Sequence, residues 1–268
     1  MNLRGAAFLG ALLMALLAGC RGASKGEARA PANSVAVPIL MYHHIGNSPS
    51  GTGGESAAFT VSPKSFNTQM EWLHQHGYHS VTPQMVSEAL RGGKPLPLKP
   101  VLISFDDGWI DQYALGFPIL QRHGLTATFF VYPSAIGTDK SDGIYMTWPQ
   151  LSNLIRQGMD IQSNSISHPD LTTLSPQDAH REILESKAIL ESHLNRPVIA
   201  FAYPFGKYND SIVGIVKAAG YRCALGTESG LTQTTADLYA LKRIQISNGD
   251  TLDDFVRKVA PGVRPMSR

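Results

Sequence analysis

Val101-Leu102-Ile103-Ser104-Phe105-Asp106-Asp107-Gly108 decides how this chain is read. Five mostly β-branched or apolar residues, with Pro100 before them and Gly108 closing the stretch, form the short uninterrupted run of a fully buried strand. The run leads straight into two adjacent carboxylates, and a carboxylate at the mouth of a buried strand is costly unless something uses it. Neighbouring side chains on an extended segment point in different directions. One carboxylate can therefore hold a cation while the other takes a proton from water beside it. Taken alone, the same residues also read as a strand followed by a common Asp-Gly turn, so the rest of the chain has to choose.

Working outward, strands and helices alternate. Val37-Pro38-Ile39-Leu40-Met41-Tyr42 predicts a strand ending at His43-His44, and residues 46–64, rich in Gly, Ser and Pro, predict a long loop beside it. Phe66, Met70 and Leu73 mark a helix face stopped by Gly77. Val81 falls in a short strand, and Met85 to Leu90 in a short helix. Residues 111–123 predict a helix disturbed at Pro118. Further strands are expected from Thr126 to Tyr132, Asp160 to Ser163, Val198 to Tyr203, Cys223 to Leu225 and Leu241 to Ile246. Helices are expected from Pro149 to Gln157, along Ala179, Ile183, Leu190 and Leu194, along Ile212, Val216 and Ala219, and over 252–259. Such alternation argues for parallel βαβ units, and about eight strands in one domain suit a (β/α) barrel. Barrel enzymes build their sites at the C-terminal ends of strands. His43, Asp106 and Asp107, Asn164 to His168, and Pro204 to Gly206 all fall just after predicted strands.

The 268 residues, 43% hydrophobic and 16% charged, suit one large domain with a sizeable core. A formal net charge of +2 is too small to argue for nucleic acid as a partner. Cys223 lies in an apolar stretch and reads as a small buried hydrophobe. Cys20 closes a targeting segment: Arg4 gives a positive start, and Ala6 to Ala18 is an apolar run shorter than the about 20 residues a bilayer span needs. Leu17-Ala18-Gly19-Cys20 resembles the bacterial lipobox, which implies cleavage before Cys20 and a lipid on its sulfur. On this reading residues 1–19 are a lipoprotein signal peptide, 20–36 a flexible tether and 37–268 the domain. Arg21 stands where the enteric inner-membrane retention signal has Asp, so the expected location is the cell envelope, lipid-anchored to the outer membrane and facing the periplasm.

Asp106-Asp107-Gly108, then Ser163-Asn164-Ser165-Ile166-Ser167-His168-Pro169-Asp170-Leu171, then Tyr203-Pro204-Phe205-Gly206, in that order, resemble the polysaccharide deacetylases of the NodB type, the family-4 carbohydrate esterases, over about residues 37–250. The resemblance implies an α/β fold with a single deformed (β/α) barrel, and hydrolysis of acetyl groups on sugars with one divalent metal, usually Zn²⁺. By the family pattern Asp106 is the general base, and Asp107 and His168 are metal ligands. Tyr203, Pro204 and Phe205 are then the substrate and oxyanion segment.

Three departures from that pattern shape the expectations. Asn164 stands where the family has its other ligand histidine, and a carbonyl oxygen is a weaker zinc ligand than imidazole. Ala202 replaces an arginine that orients the base, and Arg243 is the candidate substitute. The late Leu-x-x-His motif is missing, whereas Leu40-Met41-Tyr42-His43 supplies the same pattern near the start. In this the chain resembles the biofilm poly-N-acetylglucosamine deacetylases, which implies a circularly permuted domain with His43 as the general acid. The expected partner is an N-acetylglucosamine polymer, with the membrane reached through the lipid. An O-acetyl sugar esterase, a peptidoglycan deacetylase and an inactive glycan-binding lipoprotein are the competing readings.

Overall fold

The computed structural model describes residues 34–47, 55–140 and 143–262. The expected signal peptide and Cys20 lie outside them, as does most of the expected tether. Among the described residues no helix is long and apolar enough to cross a membrane.

Eight strands form the main sheet: β1 (Ile39–Tyr42), β2 (His79–Ser80), β3 (Pro100–Asp107), β4 (Thr128–Val131), β5 (Asp160–Ser163), β6 (Ala200–Ala202), β7 (Cys223–Leu225) and β8 (Ile244–Gln245). All pairings in it are parallel, in the order β7-β6-β5-β4-β3-β1-β8, and β2 pairs with the first residues of β3. The two ends of this order meet at a parallel bridge between Leu225 and Leu241, where the Leu241 N–H donates to the Ala224 carbonyl at 2.8 Å. The sheet therefore curls into a barrel drawn together at one narrow seam. The first strand lies beside the last, with Leu40 opposite Ile244.

Parity along the strands sorts the apolar side chains. Leu40, Ile103, Phe105, Phe129 and Phe201 pack with helices such as Pro63–Gln75 and Pro176–Leu194. Ile39, Leu102, Phe130, Ala200, Ala202 and Leu225 form a second cluster on the other face, joined by Val86 and Leu90 of the helix Pro83–Leu90. β3 is buried along nearly its whole length because it is flanked on both faces. Helix starts follow local chemistry: Ser62, Thr82, Ser175 and Asn209 accept the orphan N–H of the first turn, and Thr251 forms a capping box with Asp254.

Several expectations are corrected. Ser34–Ala36, assigned above to the tether, is a strand antiparallel to Thr232–Thr234. The long loop 46–64 contains a helical turn, Glu55–Ala58, and a short strand, Thr60–Val61, paired with His44–Ile45. The helix expected over 111–123 is divided into a π-helical turn, Gln112–Gly116, and an α-helix, Phe117–Arg122. Pro118 has no N–H to donate back along the helix, and Gly116 presses on Ile45 and Phe105, where a Cβ would come within 3.4–3.5 Å. The strands expected from Thr126, Val198 and Leu241 are each shorter than the apolar runs that announced them.

Candidate active site

The C-terminal ends of the strands surround a cavity of about 320 Å³ lined by His43, Asp106, Asp107, His168, Phe205 and Arg243, with Phe59 and Tyr203 in its wall. Asp106 keeps the parity of Leu102 and Ser104 and is buried. Arg243, which directly precedes β8, is also buried. Its Nη1 donates to Asp106 Oδ1 at 2.7 Å and its Nε to the Gly226 carbonyl at 2.7 Å. Burial alone would raise the Asp106 carboxyl, but the charge and hydrogen bond of Arg243, helped by His43 and His168, hold it below its ordinary value. Arg243 is itself anchored: the side-chain amide of Gln233 pairs with both backbone groups of Lys242, at 2.9 and 3.0 Å.

Asp107 should point away from its neighbour by strand parity. Its φ of 77° breaks the alternation, so both carboxylates reach one cavity. Gly108 follows at φ 84°, and a Cβ there would meet Val131 Cγ1 at 3.0 Å, so only glycine fits. Asp107 Oδ2 accepts from Trp109 Nε1 at 3.1 Å, and Oδ1 from Asn164 Nδ2 at 3.2 Å. His168 Nε2 lies 3.4 Å from the same Oδ1. Burial, and then the charge of Asp106, raise the Asp107 carboxyl against the opposing pull of His43 and Trp109. Burial pushes the His168 imidazole down.

The loop after β5 is built to present His168. Ser165 and His168 adopt positive φ, 65° and 59°. Glu182, from the long helix, accepts from the Ile166 and Ser167 N–H groups at 2.9 Å each and from Ser167 Oγ at 2.7 Å. Phe205 has φ 57°, is 63% exposed and sets its ring 4.7 Å from that of His168. A large apolar side chain held both strained and exposed at a cavity rim marks a functional position. Tyr203 lines the cavity, but its hydroxyl donates to the Tyr239 carbonyl at 2.9 Å. His43 stacks on Phe59 with centroids 4.9 Å apart, and its buried Nδ1 has no hydrogen-bond partner.

The predicted residues are thus mostly gathered, with exceptions. Pro204 is buried in its turn and does not line the cavity, and Asn164 sits buried behind Asp107. Of the aromatic residues near strand ends, Trp109 and Tyr145 stack beside the site at 4.3 Å, but Trp148 stacks instead on His193 and Tyr113 on Phe117. Sequence reasoning passed over Gln112, Phe59 and Glu182. It also gave His44 no role beyond the end of the first strand, whereas His44 Nδ1 lies 2.7 Å from Asp111 Oδ2. The His44–Asp111 spacing carries no local signal, and Glu182 looks like any helix carboxylate.

Among the described residues no group of three His, Cys, Asp or Glu side chains converges as a cation site. Asp107 and His168 nevertheless fit a cation. Their 3.4 Å separation is long for a hydrogen bond, yet it is about the spacing of two ligand atoms on one tetrahedral ion bound at about 2.0–2.2 Å. Asn164 directs Nδ2 at the shared point and leaves Oδ1 buried without a hydrogen-bond partner. A half-turn of the amide exchanges the two atoms and supplies a third ligand atom, the Asn164 carbonyl oxygen.

Comparison with known proteins places this geometry. The family model described as "Polysaccharide deacetylase" matches residues 93–224. A Bacillus subtilis protein provisionally named polysaccharide deacetylase YxkH is 33% identical over 213 residues, 80% of this chain and 72% of that protein. The chain belongs to the polysaccharide deacetylase family. The Streptococcus pyogenes deacetylase PplD, solved in complex with acetate, is 32% identical with a TM-score of 0.77, covering 85% of this chain and 99% of that one. The poly-β-1,6-N-acetyl-D-glucosamine N-deacetylase of Staphylococcus epidermidis is 26% identical over 75% of this chain and 72% of its own. This deacetylase therefore has the expected barrel fold of the NodB type and belongs to a family of hydrolases that remove acetyl groups from polysaccharides. Its family is generally metal-dependent.

Proposed function

We propose that this deacetylase removes acetyl groups from N-acetylglucosamine units of a cell-surface or exported polysaccharide, with zinc held by Asp107, His168 and the Asn164 carbonyl. We place it at the cell envelope, anchored by a lipid on Cys20 after loss of residues 1–19. The observation that carries the reading is the pairing of Asp106 with buried Arg243, 2.7 Å apart, beside a second carboxylate that has no cationic partner of that kind. A bound zinc supplies Lewis acidity toward the acetyl carbonyl and toward a water. Asp106, kept ionised by Arg243, takes the proton from the attacking water. A backbone N–H near Phe205 donates to the oxyanion. His43, on the strand end next to that of Asp106, protonates the departing sugar nitrogen. Phe205 and Phe59 offer apolar faces to sugar rings.

The name of the staphylococcal relative supports an N-acetylglucosamine polymer as substrate. A base already paired with its buried arginine argues against an inactive glycan binder, because a buried ion pair without use is no cheaper than apolar packing. The test is acetate release from β-1,6- and β-1,4-linked N-acetylglucosamine oligomers, with and without added Zn²⁺. Zinc-stimulated release, faster on the β-1,6 series, is the expected result. Zinc binding with no acetate from either series would overturn the N-deacetylase reading and leave an O-acetyl esterase or a glycan binder, which an O-acetylated sugar substrate would separate.

A further inference from the structure

We infer that Gln112 is a positioning residue for the reaction, holding the backbones of His43 and Asp106 at one fixed separation. The inference rests on the proposed roles of those two residues. The paired register of β1 and β3 ends at Tyr42 opposite Phe105. One residue later on each strand stand His43 and Asp106, where β1 has stopped pairing. At that point the Gln112 side chain takes over. Its Nε2 donates to the His43 carbonyl at 2.7 Å and to the Asp106 carbonyl at 2.6 Å, so both amide hydrogens are used. The carboxamide acts as one more rung between two strand ends that are about to diverge.

The local fold explains how a residue six positions after Asp106 turns back to it. Gly108 at φ 84° starts the reversal, and the Gln112 N–H bonds the Trp109 carbonyl at 3.2 Å. Gln112 opens the π-helical turn Gln112–Gly116, and such turns often occur at functional sites. The side chain is fully buried. Its Oε1 has no hydrogen-bond partner, which a purely structural role would not favour, since an apolar side chain of the same size would bury no unpaired acceptor. What an apolar side chain cannot do is hold two carbonyls together. An acid and a base on adjacent strand ends must share one substrate, so their spacing controls the chemical step rather than the binding of remote sugar units.

The test is a double-mutant cycle on the zinc-loaded enzyme, with an N-acetylglucosamine oligomer as substrate. Gln112→Met should lower kcat on the order of 10²-fold, the penalty for displacing a reacting group by about 1 Å, with KM changed little. Zinc content should match wild type. In a His43→Ala background the same change should cost much less, because half of what Gln112 positions is already gone. Gln112→Asn, whose amide is one methylene short, should fall between wild type and Gln112→Met and show the same non-additivity. Equal factors with and without His43 would overturn the inference, as would a loss confined to KM. Failure to recover either variant folded would also overturn it, by making Gln112 a residue of general stability. An inactive wild type would instead remove the functional reading beneath it.

Discussion

Asp106 and Asp107 are neighbours in sequence and face one cavity, yet their surroundings are opposite. Asp106 is locked at 2.7 Å to an arginine that is itself buried and anchored, and its carboxyl is held below the ordinary range. Asp107 has only neutral or weakly held neighbours at 3.1–3.4 Å, and its carboxyl is raised. The difference teaches what each half of the site is prepared for. The Asp106 half is complete and preorganised, as a base should be. The Asp107 half is loosely satisfied, with one buried oxygen of Asn164 unpaired, as a cation site should be when its ligands have only each other.

The contrast can be broken most severely at Arg243. Arg243→Met leaves Asp106 buried without its partner. Stability should fall by about 3–5 kcal/mol, the usual consequence of stranding one member of a buried pair. Most acetate release should vanish with it while zinc binding stays. Urea unfolding and acetate assays on the same preparation would show this, and a variant of wild-type stability would mean that the pair is not coupled as described. Next in size is His43→Ala. It should reduce kcat on N-acetyl substrates by about 10²-fold or more. On an aryl acetate, whose leaving group needs no proton, the loss should be far smaller; matching losses would assign His43 to binding or structure. The smallest change sharpens the other half. Asn164→His should tighten zinc binding on the order of tenfold, about 1.4 kcal/mol, by calorimetric titration. An unchanged affinity would place residue 164 outside the ligand set.

Much of this contrast was legible in the sequence, and the reasons differ by residue. β5 and β7 were read to the residue, β7 because a short apolar run between breakers has few other readings. The last described helix, Leu252–Val259, falls on the expected range 252–259, and the structure adds the capping box of Thr251 and Asp254 that starts it. Arg243 was found by the absence of an arginine at Ala202 and by its place on the expected last strand; the strand begins one residue later, and the structure brings Arg243 to Asp106. By contrast, the Ser34–Ala36 strand was hidden because its partner, Thr232–Thr234, lies 200 residues away at the matched pair Ser34 and Thr234. Gln112 was hidden for a subtler reason. On a regular helix it would read as an ordinary polar residue, and only the π-helical turn ahead of Pro118 brings it beneath the strand ends. Asp107 was expected to differ from Asp106 through strand alternation, whereas its left-handed backbone is what lets the two share a cavity.

The division of labour between the two carboxylates is tested most directly by titrating zinc into Asp106→Asn and Asp107→Asn and assaying each for acetate release. Asp106→Asn should bind one zinc with near wild-type affinity and release no acetate, while Asp107→Asn should lose tight zinc binding and activity together. Loss of zinc from Asp106→Asn, with retention in Asp107→Asn, would contradict the account.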